Sequence, residues 1–134
     1  MEKYVVENHF NNKDFMAMFI SFLYEYDYDS FDKIKLKEYI MNCKKENLFV
    51  KLLSVFKVFD NDIYDYDYLV SYFVTKGLLS EDKQDKNILI TERKVLLEIA
   101  VENKIFYIQE MLDFVDEFSS KYLQSDDNDF LNRR

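Results

Sequence analysis

The chain has no proline, no tryptophan, one glycine, one cysteine and one histidine in 134 residues, and each shortage narrows what it can be. With no proline, and only Gly77 free to take left-handed backbone without strain, it lacks the residues that turn-rich all-β folds use for tight turns and bulges. One glycine also excludes a glycine-rich phosphate loop. Cys43 has no partner for an internal disulfide. His9 is the sole histidine, so no paired-histidine or Cys/His zinc cluster is available. Cys43 could in principle act as a nucleophile with His9, but a lone cysteine on the apolar side of a helix reads as a small core residue. No apolar run approaches the roughly 18 residues of a membrane span, and the first residues lack the layout of a signal peptide. The expectation is a cytoplasmic, non-enzymatic protein with no cofactor, no metal and no membrane partner.

What the chain does have is apolar and aromatic material. Hydrophobic residues make up 49%, and 13 Phe and 11 Tyr must mostly pack somewhere, which excludes a disordered chain. A length of 134 residues suits one domain, 1–124, followed by an acidic tail, 125–134, holding Asp126, Asp127 and Asp129. The net charge of −8 is unevenly spread: residues 33–57 carry seven lysines against Glu38 and Glu46, so the rest of the chain is strongly acidic.

Hydrophobic spacing predicts helices joined by short polar loops. Phe15, Met16, Met18, Phe19, Ile20, Phe22 and Leu23 nearly encircle a first helix over about 13–25, capped by Asn11 or Asn12, which places it centrally. Asp29, Ser30 or Asp32 can cap a second, with Ile34, Tyr39, Ile40 and Cys43 on one side and Lys33, Lys37 and Lys44 largely on the other. Asn47 allows a break before Leu48, Phe49, Leu52, Leu53 and Phe56. Tyr68, Leu69, Tyr72 and Phe73 mark a further helix that stops near Lys76, with Gly77 as the left-handed residue that ends it. Leu78 and Leu79 leave in extended form, 81–87 supplies a polar turn, and Ile88, Leu89 and Ile90 return as the second arm of a hairpin. Thr91 can cap a helix beginning at Glu92. Over 92–123 the apolar positions keep a helical period, so this stretch is one long helix, or two with a break near Asn103 and Lys104. In the first case it projects and buries its stripe against a second copy, making the protein a homodimer through its C-terminal helices.

The order of four helices, a two-stranded wing and one or two long C-terminal helices resembles the winged-helix transcription regulators of the MarR and PadR type. The likeness is closest over 69–100, LVSYFVTKGLLSEDKQDKNILITERKVLLEIA, about a quarter of the chain. The resemblance implies a mainly α, winged-helix-like domain whose helix ending at Lys76 reads a DNA groove. Its readers would be Tyr72, Thr75 and Lys76, with Lys83, Lys86 and Arg93 contacting phosphates. The charges depart from that pattern. Asp60, Asp62, Asp65 and Asp67 crowd the start of the reading helix, 81–94 carries four acids and four bases, and Asp85, Lys86 and Asn87 stand where MarR-type wings carry Asp-x-Arg. Lysines 33, 35, 37, 44, 45, 51 and 57 either face phosphate or form an ordinary solvated surface. Asp60, Asp62 and Asp65 do not make a calcium loop, because Asp65 stands where its glycine belongs and Ser71 where its closing glutamate belongs.

Two further runs interleave tyrosine with aspartate: Tyr26, Asp27, Tyr28 and Asp29, and Tyr64, Asp65, Tyr66 and Asp67. Aromatics are enriched at interface cores and surface acids can imitate phosphates, so these runs suit an acidic inhibitor, such as an antitoxin, an immunity protein or a nucleic-acid mimic, bound to a basic protein. The alternative is that their rings lie half-buried against the core with the hydroxyls wet. The partner is therefore DNA or a basic protein.

Overall fold

The computed structural model describes residues 2–6, 12–58, 64–92, 95–99 and 104–123. It is mainly helical with small sheets: β1 (Glu2–Val6), α1 (Asn12–Glu25), β2 (Ser30–Asp32), α2 (Lys33–Lys45), α3 (Val50–Val55), α4 (Tyr64–Thr75), β3 (Leu79–Glu81), β4 (Ile88–Thr91), β5 (Val95–Ile99) and α5 (Lys104–Phe118), the last continued by a π-helical turn, Ser119–Leu123.

α1 lies at the centre, as its encircling apolar pattern requires. Phe15, Met16, Ala17, Met18, Phe19, Ile20 and Leu23 are all buried, and the helix packs on α4, α5 and β5. Phe114 of α5 gathers the core around itself. The rings of Phe15, Phe19, Tyr39 and Phe49 stand 5.1–6.0 Å from it, tilted or edge-on, the arrangement that ring quadrupoles favour. Phe118 extends the cluster to Phe19 and Tyr122.

The helix boundaries follow local chemistry. Asp32 caps α2, its carboxylate accepting from the backbone N–H of Ile34 (2.8 Å) and Lys35 (3.2 Å). Asn47 (φ 59°) and Phe49 (φ 53°) take left-handed backbone between α2 and α3. Asn12 lies against the carbonyls of Phe56 (3.1 Å) and Lys57 (2.7 Å). Hydrogen bonding assigns its amide nitrogen to that side, so Asn12 ties the start of α1 to the turn after α3. Gly77 (φ 77°) closes α4, with Gly77 N–H donating to Val74 and Leu78 N–H to Phe73.

The expected hairpin is present. β3 and β4 pair antiparallel with Leu79 opposite Thr91 and Glu81 opposite Leu89. It is not alone: β2 pairs on the other edge of β4, Phe31 opposite Leu89, giving a three-stranded sheet in the order β2-β4-β3. Lys33 N–H donates to the Asn87 carbonyl at 2.8 Å, so the hairpin is fixed to the first residue of α2.

The stretch after the hairpin departs from the expected helix. Thr91 caps no helix; it is a buried residue of β4, and the chain continues as β5, parallel to β1 with Val95 opposite Glu2 and Ile99 opposite Val6. A short apolar run such as Val95-Leu96-Leu97 fits a strand as well as a helix by spacing, and here strand pairing decides it. The final helix begins at Lys104, where the break was expected, so there is no arm spanning 92–123. Part of the α5 stripe is used inside the chain. Met111, Phe114, Val115 and Phe118 are fully buried within the chain, against α1 among others, which removes the basis given for a homodimer through these helices. Among the described residues no helix is long and apolar enough to cross a membrane. The expected acidic tail lies outside the described residues.

Candidate nucleic-acid interface

α4 presents one face to the core through Tyr66, Leu69, Val70 and Phe73 and the opposite face to solvent through Asp67, Tyr68, Ser71, Thr75 and Lys76. Of the three expected readers, Thr75 and Lys76 are exposed, and Tyr72 is half-buried between the two faces. The ring of Tyr72 carries two ammonium groups: Lys13 Nζ lies 4.1 Å from its centroid and Lys76 Nζ 5.6 Å. Lys13 also lies 5.8 Å from the centroid of Tyr68. Sequence reasoning missed Lys13, because it sits in the first turn of α1, far along the chain from α4. Its one signal was to be a cation among the apolar residues of that helix.

The hairpin turn is built by its own acids. Asp82 Oδ2 accepts from the N–H of Gln84 (3.2 Å) and Asp85 (3.1 Å), and Asp85 Oδ1 accepts from Asn87 N–H (3.0 Å). Lys83 and Lys86 are left exposed at the tip. Within 81–94, whose four acids and four bases cancel, the carboxylates of Asp82 and Asp85 accept from backbone N–H groups while Lys83 and Lys86 are exposed. Arg93, the third expected phosphate contact, lies outside the described residues.

The lysines of 33–57 differ in their surroundings. Lys44 Nζ donates to the Val58 carbonyl at 2.5 Å, and Lys33 Nζ sits 3.7 Å from Glu81 Oε2; Lys35, Lys45, Lys51 and Lys57 are exposed.

The two tyrosine–aspartate runs have different fates. Tyr24 and Tyr26 are exposed, Asp27 (φ 68°) turns the chain, Asp29 is exposed, and Tyr28 packs half-buried against the core. In the other run Tyr66 is buried, and its hydroxyl donates to the Lys33 carbonyl at 2.6 Å, so it holds α4 to the start of α2 and does not face solvent. Burial, then the nearby carboxylates of Asp32 and Asp67, pushes that hydroxyl well above the ordinary tyrosine range. Asp67 is exposed, while the side chains of Tyr64 and Asp65 lie outside the described residues.

Elsewhere the chemistry is sparse. Cys43 is buried, and burial is the largest cause that pushes its thiol up to about 11, the reverse of what activates a nucleophile. Tyr39, one turn earlier, has its hydroxyl buried with no hydrogen-bond partner of ordinary geometry among the described residues, and pushed upward by that burial and by Cys43 and Glu117. A groove of about 580 Å³ runs beside α2, lined by Glu38, Met41, Asn42, Lys45 and Tyr122. Among the described residues no group of three His, Cys, Asp or Glu side chains could hold a metal ion. No protein-family model, curated protein or solved structure matches the chain.

Proposed function

We propose that the protein is a non-enzymatic regulator of the winged-helix kind that acts by contacting DNA through the exposed face of α4 and the tip of the β3–β4 hairpin. The observation that carries this reading is the hairpin turn. Asp82 and Asp85 are committed to backbone N–H groups, Lys83 and Lys86 project, and the turn follows directly from α4, which exposes Thr75 and Lys76. A three-stranded sheet fixes that turn relative to α2, so its cations stand at a constant place beside the helix. Phosphate neutralisation supplies most sequence-independent DNA affinity, and at this turn the ammonium groups of Lys83 and Lys86 are exposed while Asp82 and Asp85 accept from backbone N–H groups.

The test is retardation of a DNA oligonucleotide, as duplex and as single strand, at about 50 and 200 mM salt. The reading expects binding that weakens with salt. The double variant Lys83→Glu, Lys86→Glu should lower affinity at least tenfold and flatten the salt dependence by roughly one log unit per lysine. If neither form of DNA is bound at the lower salt, the regulator reading is wrong.

A second reading is favoured by one observation. The turn after α1 exposes Tyr24, Tyr26, Asp27 and Asp29 with no basic residue among 24–32, a surface suited to a cationic groove on a basic protein. In that case DNA is not retarded, and a basic partner binds in a salt-sensitive manner that Tyr26→Ala and Asp29→Asn weaken.

A further inference from the structure

We infer that the outer face of α2 is an interface for a second copy of this chain: two α2 helices lie antiparallel about a two-fold axis at Met41, with Glu38 of each copy against the partner's Lys45. This goes beyond the regulator reading and does not rest on it.

α2 buries Leu36, Tyr39, Ile40 and Cys43 and turns Ile34, Glu38, Met41 and Lys45 to solvent. Exposed apolar side chains scattered singly need no explanation. These are not scattered. Ile34 (39%), Met41 (47%) and Leu48 (39%), the last just beyond the helix, follow one another at seven-residue intervals, the spacing by which one helix offers a seam to another. Glu38 stands between the first two and Lys45 between the second two. Glu38, Met41 and Lys45 also line the groove beside α2 with Asn42 and Tyr122, so the middle of the seam has a recess next to it that a flexible thioether can fill.

The order of charge chooses the occupant. From Ile34 to Leu48 the seam reads apolar, acid, apolar, base, apolar. Reversed, it has the opposite sign at each charged position. A strip that becomes its own electrostatic complement on reversal fits a second copy laid antiparallel, the arrangement a two-fold axis across a helix pair produces. Ile34 then falls level with the partner's Leu48, and Met41 with the partner's Met41. A parallel pair would set Glu38 against the partner's Glu38 and Lys45 against the partner's Lys45. Within one helix the two charges are two turns apart, roughly 10.5 Å along the axis, too far to satisfy each other. Among the described residues neither is in an ion pair. Lys33 lies beside Glu81 and Lys44 bonds the Val58 carbonyl, which draws both away from the seam. A purely acidic partner would leave Glu38 opposed, and a purely basic one would leave Lys45 opposed.

Sedimentation equilibrium of the full chain tests this, at concentrations up to roughly 0.5 mM because so short a helix pair buries less than a standard interface. The parent should form a reversible dimer. Glu38→Lys and Lys45→Glu each place like charges at both contacts and should weaken the dimer about tenfold or more. An equimolar mixture of those two variants, and the double variant carrying both changes, bring opposite charges together again and should recover most of the parental affinity. Met41→Asp, at the centre of the seam, should weaken it as well. Circular dichroism would confirm that each variant is folded. A parent that stays monomeric over the whole range overturns the interface. So does a dimer indifferent to the single charge reversals, or a mixture of the two folded variants that fails to associate.

Discussion

The two tyrosine–aspartate runs are near twins in composition and opposites in use. The first, around Tyr26, falls where α1 has ended; Asp27 takes left-handed backbone, and the rings of Tyr24 and Tyr26 are left in water. The second, around Tyr66, falls inside the start of α4, where successive residues turn by a fixed angle. Tyr66 is consequently driven into the core while Asp67 and Tyr68 face out. Position relative to a helix end, and not the residues themselves, decides which tyrosine is structure and which is surface.

The largest expected effect breaks that comparison at its centre. Tyr66→Ala removes a buried ring and the hydrogen bond to the Lys33 carbonyl, and should lower unfolding free energy by about 3–5 kcal/mol. Tyr26→Ala should change it by no more than about 0.5 kcal/mol. Tyr66→Phe isolates the hydroxyl and should cost about 1 kcal/mol. Urea denaturation of the three variants measures all of this, and similar losses at Tyr66 and Tyr26 would erase the distinction.

A smaller effect appears with pH. The Cys43 thiol ionises near 9 when unfolded and is pushed up to about 11 in the fold by burial, so the native state favours its neutral form. Stability from that preference is complete below pH 9 and is lost as pH rises toward 11, with Tyr66 and Tyr39 acting in the same direction. The loss assigned to Cys43 is on the order of 2 kcal/mol across that window. Unfolding free energy measured at about pH 8 and about pH 10.5 should fall, and Cys43→Ala should flatten part of the slope. A rise in stability over the same range contradicts the burial argument.

Much of the fold was legible because single residues have single uses. Gly77 could only end a helix, Asp32 was placed to cap one, and the apolar circle of α1 could only be central. What stayed hidden depended on pairing between distant segments. Nothing local distinguishes Val95–Ile99 from a helix until Glu2–Val6 lies beside it, and Ser30–Asp32 is too short to show alternation before it meets β4. The candidate site divides the same way. Thr75, Lys76, Lys83 and Lys86 were visible as exposed polar positions on a helix and a turn. Lys13 was not, since its tie to Tyr72 exists only in three dimensions, and counting charges could not reveal that Asp82 and Asp85 face backbone N–H groups.

Gly77 sharpens the comparison at the other end of α4. Its φ of 77° is strained for any residue with a side chain, yet a Cβ there would meet nothing within 4 Å. Gly77→Ala should therefore cost about 1 kcal/mol through backbone conformation alone, and Gly77→Asn less, because asparagine tolerates this region better. Thermal denaturation checks the order. A cost well above about 2 kcal/mol for alanine would mean that the helix and hairpin must shift to accept it.

The smallest expected effect on stability falls two residues from the largest. Tyr68 is on the same helix and of the same residue type as Tyr66, but two helical steps rotate it away from the core, and its ring is mostly in solvent. Tyr68→Ala should leave unfolding free energy within about 1 kcal/mol of the parent. The ring's contact with the half-buried Lys13, 5.8 Å from its centroid, is a cation–π pair that contributes about 0.5–1 kcal/mol. A loss above that would mean the ring is packed, and it would then be closed to any ligand. Near-neutral stability at Tyr68 beside a large loss at Tyr66 separates surface from structure within one run of five residues, 64–68.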